Sequence, residues 1–87
     1  LNYIMSKKLF VGGLAWGMTE DELREIFASF GDIEEAIIII DREMNRSKGF
    51  GFVTFADDAA ADAAIEALDG SVQMGRNIVV NEARPRD

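Results

Sequence analysis

Two hydrophobic periods alternate along this chain. Apolar residues at a spacing of two mark strands, and a return every three to four residues marks helices. Lys8 to Val11 reads as a short strand closed by Gly12-Gly13, and Leu14 to Met18 reads as a loop. Thr19 and Glu22 stand at the spacing of a capping box, which predicts a helix start near Glu20. Leu23, Ile26, Phe27 and Phe30 form its buried stripe, and Gly31 is read as its stop. Ile33 to Ile40 is a β-branched run too short for a helix and is assigned as a strand. Asp41 to Ser47 is a polar turn with Asn45 near its tip, followed by a third strand, Lys48 to Phe55. Asp57 or Asp58 caps a second helix with Ala61, Ala64, Ile65 and Leu68 on its buried face, and Gly70 ends it. Ser71 to Arg76 is a loop with room for a small hairpin, and Asn77 to Asn81 is the last strand. Pro85 discourages further pairing.

The resulting order, β-α-β-β-α-β, predicts a ferredoxin-like α+β sandwich. Right-handed crossovers place both helices on one face of a four-stranded antiparallel sheet, with the first and third strands at its centre. The other face is left bare. In KGFGFVTF (Lys48 to Phe55), alternation assigns Lys48, Phe50, Phe52 and Thr54 to one face and Gly49, Gly51, Val53 and Phe55 to the other. With Val53 and Phe55 in the core, two aromatics and a cation are left on the bare side. Phe10 joins them, because Leu9 and Val11 bracket it as core. Ile37 and Ile39 share that side, with Ile38 inward. An aromatic surface of this kind, kept in water, points to a ligand. Trp16 is read as a loop residue packing near the first helix. Met5-Ser6-Lys7-Lys8 resembles a natural start. Residues 1–6 are therefore expected to be a disordered lead-in, 7–83 the domain and 84–87 a tail.

Composition narrows the chemistry. Cysteine and histidine are both absent, which removes disulfides, thiolate or imidazole metal sites, and the commonest general base. Adjacent acid pairs such as Glu34-Glu35 and Asp57-Asp58 lack partners that would tune a general acid and base. Gly12, Gly13 and Gly17 do not have a dinucleotide or P-loop spacing. No catalytic residue, metal or cofactor is expected. No apolar run has the length of a membrane span, and no secretory signal is visible. The chain is expected to be a soluble, intracellular, cytoplasmic monomer, with the nucleus as the alternative in a eukaryote.

The net charge of −7 argues against nucleic acid by itself. Its distribution argues the other way. Acids concentrate in Glu20 to Asp32 and Asp57 to Asp69, the two helical segments. Arg42, Arg46 and Lys48 lie beside the aromatic strand, and Arg84 and Arg86 lie in the tail.

KGFGFVTF matches the octamer of the RNA recognition motif family at every specified position: basic, Gly, aromatic, Gly or Ala, aromatic, aliphatic, any, aromatic. Leu9 to Leu14, LFVGGL, fits the family's hexamer. The chain resembles this family from about Lys8 to Ala83. LAW (Leu14 to Trp16), DRE (Asp41 to Glu43) and VNEA (Val80 to Ala83) are similar to its single-domain glycine-rich or cold-induced subgroup, which has bacterial members.

The resemblance implies non-catalytic binding of short single-stranded RNA, with single-stranded DNA as a second candidate, in RNA chaperoning or post-transcriptional regulation. Phe10, Phe50 and Phe52 would stack on bases. Lys8 and Lys48 would meet phosphate or base edges, and Ile37 and Ile39 would pack on sugars and bases. Asn81, Glu82, Ala83 and Arg84 would read bases past the last strand. Arg42, Arg46 and Arg86 would contact phosphates. Ile40 and Val79 depart from the basic or polar residues frequent in close relatives, so only about two or three phosphates would be neutralised. The alternative function is a protein-interaction module on the same fold, motivated by the net charge and the isoleucine-rich strand. An acylphosphatase-like hydrolase is the enzymatic alternative; fold likeness alone does not carry that activity. Neither a membrane nor a small-molecule substrate is expected as partner.

Overall fold

Eight elements follow one another in the computed structural model, which describes residues 5–83. They are β1 (Lys7–Gly12), α1 (Glu20–Ala28), β2 (Ile33–Asp41), β3 (Arg46–Phe55), α2 (Asp58–Leu68), β4 (Val72–Gln73), β5 (Arg76–Asn77) and β6 (Val79–Glu82). The main sheet is antiparallel throughout, in the order β2-β3-β1-β6. Both helices pack on one of its faces. Leu23 and Phe27 of α1 and Ala61, Ala64 and Leu68 of α2 join Leu9, Val11, Val53, Phe55 and Val80 in one buried cluster. This is the ferredoxin-like α+β fold expected from the hydrophobic periods.

The helix ends follow their local chemistry. Glu22 N–H donates to Thr19 Oγ1 at 3.1 Å, and Thr19 N–H donates to Glu22 Oε1 at 2.8 Å, completing the capping box. Glu20, Asp21 and Glu22 occupy the first turn of α1, where the helix dipole favours negative charge. Asp57 caps α2 by accepting from Ala59 N–H at 3.0 Å.

Gly31 follows the end of α1, whose C-cap is Ser29, but it is not a left-handed cap. Its φ is not positive, and its place is set by packing, since a Cβ there would lie 2.7 Å from Ala60 Cβ. The last strand also differs from expectation. Asn77 belongs to a β4–β5 hairpin whose central residues, Met74 and Gly75, have φ of 52° and 80°, the signature of a type I′ turn. Ile78 is buried between the two strands, and β6 begins only at Val79.

Two irregularities in the β2–β3 pair break strict alternation. Between Ile33 and Glu35 the register shifts, so that Ile33 pairs with Phe55 and packs against the core. Between Ile38 and Ile40 the partners run from Gly51 to Ser47, so β3 carries extra residues. Gly49 lies in that segment with φ +84°, a conformation that disfavours any side chain. Its N–H donates to Ser47 Oγ at 2.9 Å, and its carbonyl accepts from Leu14 N–H at 2.8 Å.

Lys7 ties β1 to α2. Its ammonium donates to Asp62 Oδ1 at 2.8 Å and stands 3.9 Å from Glu82 Oε1. The hydrogen bond to Asp62 chiefly raises its pKa above the usual 10.5. The fields of Asp62, Glu82 and Asp58 add to this, and partial desolvation opposes it.

A raised lysine pKa contributes stability that is full below the unfolded value and lost as pH rises through the folded one. Lys7→Met is therefore expected to flatten the loss of stability that sets in as pH rises above 10.5, read from urea midpoints. A second prediction concerns close approach. A Cβ at Gly51 would collide with the Ile37 carbonyl oxygen, whereas one at Gly17 would meet nothing within 4 Å. Gly51→Ala is expected to cost at least about 1–3 kcal/mol, the overpacking range, while Gly17→Ala stays within about 0.5 kcal/mol. Urea denaturation of the pair measures both.

Candidate functional site

Side chains directly opposite each other in an antiparallel pair share a face. The register therefore writes three rows across the side of the sheet away from the helices. One is Ile37–Phe52–Phe10–Asn81, the next is Phe50–Gly12–Val79, and the third is Glu35–Thr54–Lys8. The three phenylalanines meet at the centre. Phe10 and Phe50 have centroids 5.6 Å apart, Phe10 and Phe52 6.0 Å, and Phe50 and Phe52 6.3 Å. Their planes are inclined by 35°, 68° and 90° respectively. These are edge-to-face and tilted contacts of the kind ring quadrupoles favour. Each ring is half-buried because its neighbours shield it. Gly12 leaves the space into which Phe10 settles, since a Cβ there would lie 2.9 Å from the ring.

Cations border this patch. Lys8 Nζ lies 4.6 Å from the Phe52 ring centroid, a cation–π contact. Lys48 is exposed, but the bulge at Gly49 interrupts the alternation that would align it with Phe50. It instead lines a shallow hollow with Trp16, Asp41, Arg46, Ser47 and Phe50. Arg46 stacks its guanidinium 4.4 Å from the Trp16 ring centre. Arg42 is exposed in the β2–β3 turn. In that turn Asp41 Oδ1 accepts from the N–H groups of Glu43 and Met44, at 3.0 and 3.3 Å.

The remaining expected site residues divide. Ile37 and Ile39 are half-buried, and Ile37 is directly opposite Phe52. Asn81 is exposed beside Phe10. Ala83 N–H donates to Lys8 carbonyl at 2.9 Å, extending the ladder one step past β6. Glu82 pairs with Leu9 and so shares the helix-side face, where it approaches Lys7. The pleat turns its side chain away from the aromatic row. Arg84 and Arg86 lie outside the described residues. Ile40 and Val79 are exposed, and Val79 continues the Phe50 row.

Two residues of this surface escaped the reading by segments. Glu35 brings an acid onto the open face, opposite Thr54. Counting charge per segment hid it; alternation outward from Ile38 would have found it. Trp16 is the second. It is 61% exposed and sits against Arg46. Its position follows from topology: Gly12 is opposite Phe50, so the loop leaving β1 must emerge beside that ring.

Among the described residues, no cluster of three acids gathers to hold a metal, and no helix is long and apolar enough to cross a membrane. Comparison with known proteins gives a consistent picture. The sequence model of the RNA recognition motif matches residues 9–79. The mitochondrial glycine-rich RNA-binding protein 2 of Arabidopsis thaliana is 54% identical over 83 residues, which cover 95% of this chain and 52% of that protein. The chain thus spans about half the length of that relative. RbpB of Nostoc sp. is 46% identical over 79 residues, 91% of this chain and 77% of its own length. Among solved structures, the RNA-binding protein PG1 superposes with a TM-score of 0.87 at 37% identity, over 93% of this chain and 98% of that one.

The open-face rings are expected to be largely dispensable for folding. Phe10→Ala or Phe52→Ala should cost about 0.8–1.5 kcal/mol, half of a full-burial value. Phe27→Ala, in the core, should cost about 3–5 kcal/mol. Urea unfolding of the three variants distinguishes the two classes.

Proposed function

The chain belongs to the RNA recognition motif family, and on that premise we propose that it binds short single-stranded RNA on the open face of its sheet, without catalysis. The observation that carries this reading is the contiguous patch of Phe10, Phe50 and Phe52 on a face that neither helix covers. Unpaired bases stack on such rings with little sequence preference, at about 1–3 kcal/mol each. The same stacking admits single-stranded DNA, because every base presents a π-face.

Lys8 and Lys48 take phosphate or base edges in this reading. Ile37 and Ile39 pack on sugars and bases. Asn81 and the backbone around Glu82 and Ala83 offer hydrogen bonds to base edges, with Arg84 continuing them. Arg42, Arg46 and Arg86 supply further phosphate contacts. The domain, residues 7–83, acts in a cytoplasmic monomer, in RNA chaperoning or post-transcriptional regulation. Neither a small-molecule substrate nor a cofactor takes part. Lys7 contributes little, since its ammonium is engaged by Asp62.

Affinity is limited by charge. With about two or three phosphates neutralised, log K should fall with log salt at a slope of roughly −1.5 to −2. Anisotropy titration of labelled oligoribonucleotides, repeated across salt, measures the slope. In the same assay Phe50→Ala or Phe52→Ala should weaken binding by about 1–3 kcal/mol while leaving the circular dichroism of the fold unchanged. Wild-type affinity in both variants would remove the sheet face from the mechanism.

A further inference from the structure

The main sheet has two outer edges, and the fold treats them differently. β6 is flanked by its own chain. Gly70 N–H donates to the Ile78 carbonyl at 2.8 Å, and Ile78 N–H donates to the Ser71 carbonyl at 2.9 Å. Asp69 Oδ1 accepts from Val80 N–H at 2.9 Å. β2 forms the opposite edge and pairs only with β3 among the described residues. Its centre, Ala36 to Ile40, is one alanine and four isoleucines, with no charge and no proline. That composition favours pairing with a further strand. Ile40 is already 48% exposed. Such an edge is a template for another chain unless something covers it.

The cover at its middle is a carboxylate. Ile38 N–H turns away from β3 and donates to Glu20 Oε2 at 2.9 Å. Glu20 is the first residue of α1, and the Thr19–Glu22 capping box fixes that helix end. Its negative charge also suits the end of the helix it occupies. Arg24 reaches the Ile33 carbonyl, at the beginning of the strand, at 3.2 Å. Glu20 is itself exposed, so a change of its side-chain rotamer frees the Ile38 N–H without disturbing the sheet.

We propose that Glu20 gates the free edge of β2, and that the strand it withholds is a surface for pairing with a second copy of this chain. Antiparallel pairing about a twofold axis at Ile38 is self-complementary. It sets Ile38 opposite Ile38, Ile37 opposite Ile39 and Ala36 opposite Ile40. Glu34 then faces Arg42, a pair of opposite charges. Glu35 faces Asp41, a like pair that keeps the association weak. Side chains opposite each other share a face, so the helices of both copies lie on one side and the aromatic rows on the other. Opening the gate joins two sheets into one, with Phe10, Phe50 and Phe52 of each copy on a continuous surface. The inference stands apart from the RNA reading, because it concerns backbone groups at the edge and not the side chains of the open face.

Sedimentation velocity of the whole chain across a dilution series tests this. The wild type should stay at the single-chain mass. Glu20→Ala, which bares the Ile38 N–H, should move toward twice that mass as concentration rises. Glu22→Ala is the control: it breaks the capping box at the same helix end, leaves Glu20 in place and should sediment as wild type. Adding Ile40→Lys to Glu20→Ala puts a charge on the bared edge and should restore the single-chain mass. Circular dichroism establishes that each variant is folded. If Glu20→Ala is not, Glu20→Ser takes its place, since serine suits a helix start and is too short to reach the strand. A folded variant that keeps the single-chain mass at every concentration overturns the proposal. Equal association in Glu22→Ala and Glu20→Ala also overturns it, since a loosened helix end would then be the cause. Association that Ile40→Lys leaves untouched places the contact on another surface and has the same consequence. A wild type that associates as strongly as Glu20→Ala shows that Glu20 gates nothing.

Discussion

The pairing of β1 with β3 at the centre of the sheet is the constraint from which the rest follows. Its register sets Phe10 opposite Phe52 and Leu9 opposite Val53. The pleat then leaves no freedom: if Leu9, Val11, Val53 and Phe55 are to be buried under the helices, Phe10 and Phe52 must face the other way. Both central strands spend half their large side chains on the core and half on the open face. A slip of one residue would reverse every one of these assignments. The open aromatic face is therefore a by-product of the same hydrophobic burial that folds the domain, and its rings are expected to be removable at lower cost than those of the core.

Glycine supplies the exceptions that a regular sheet cannot. Gly51 lets β2 approach β3 where any side chain would strike the Ile37 carbonyl. Gly49 turns the backbone into a bulge, and the carbonyl it exposes captures the loop after β1. Sheet and loop are thus joined through one hydrogen bond, and that bond keeps Trp16 near Phe50 and Arg46. Without the bulge, the end of β3 would continue as plain ladder and the hollow would have no wall.

The acids of this chain also do more than confer solubility. Glu20 accepts from Ile38 N–H at 2.9 Å, covering part of the outer edge of β2. Arg24 donates to the Ile33 carbonyl on the same strand at 3.2 Å. An isoleucine-rich edge strand invites pairing with another chain, and side chains laid across its backbone groups oppose this. Asp62 engages Lys7, and Asp69 accepts from Val80 N–H at 2.9 Å, tying the end of α2 to β6. Much of the negative charge therefore sits on the helices and on structural bonds, and Glu35 alone brings it onto the central rows of the open face.

Periodicity, capping residues and turn chemistry were enough to specify the order of elements, both helix starts, the central strands and the aromatic face. These are short-range or period-two properties, and they depend on residues close together in the chain. Three features lay beyond that reach. The bulge at Gly49 moved Lys48 out of strict alternation, because extra residues in β3 can be recognised only against the partner strand. Gly31 proved to be a packing contact with Ala60, and Glu82 turned toward Lys7 on the helix side; both depend on elements distant in sequence. The fate of Trp16 was decided in the same way. Its loop, Leu14 to Met18, is short enough to pass for a plain connection, and only the antiparallel return of β3 beside β1 brings Phe50, Gly49 and Arg46 around it.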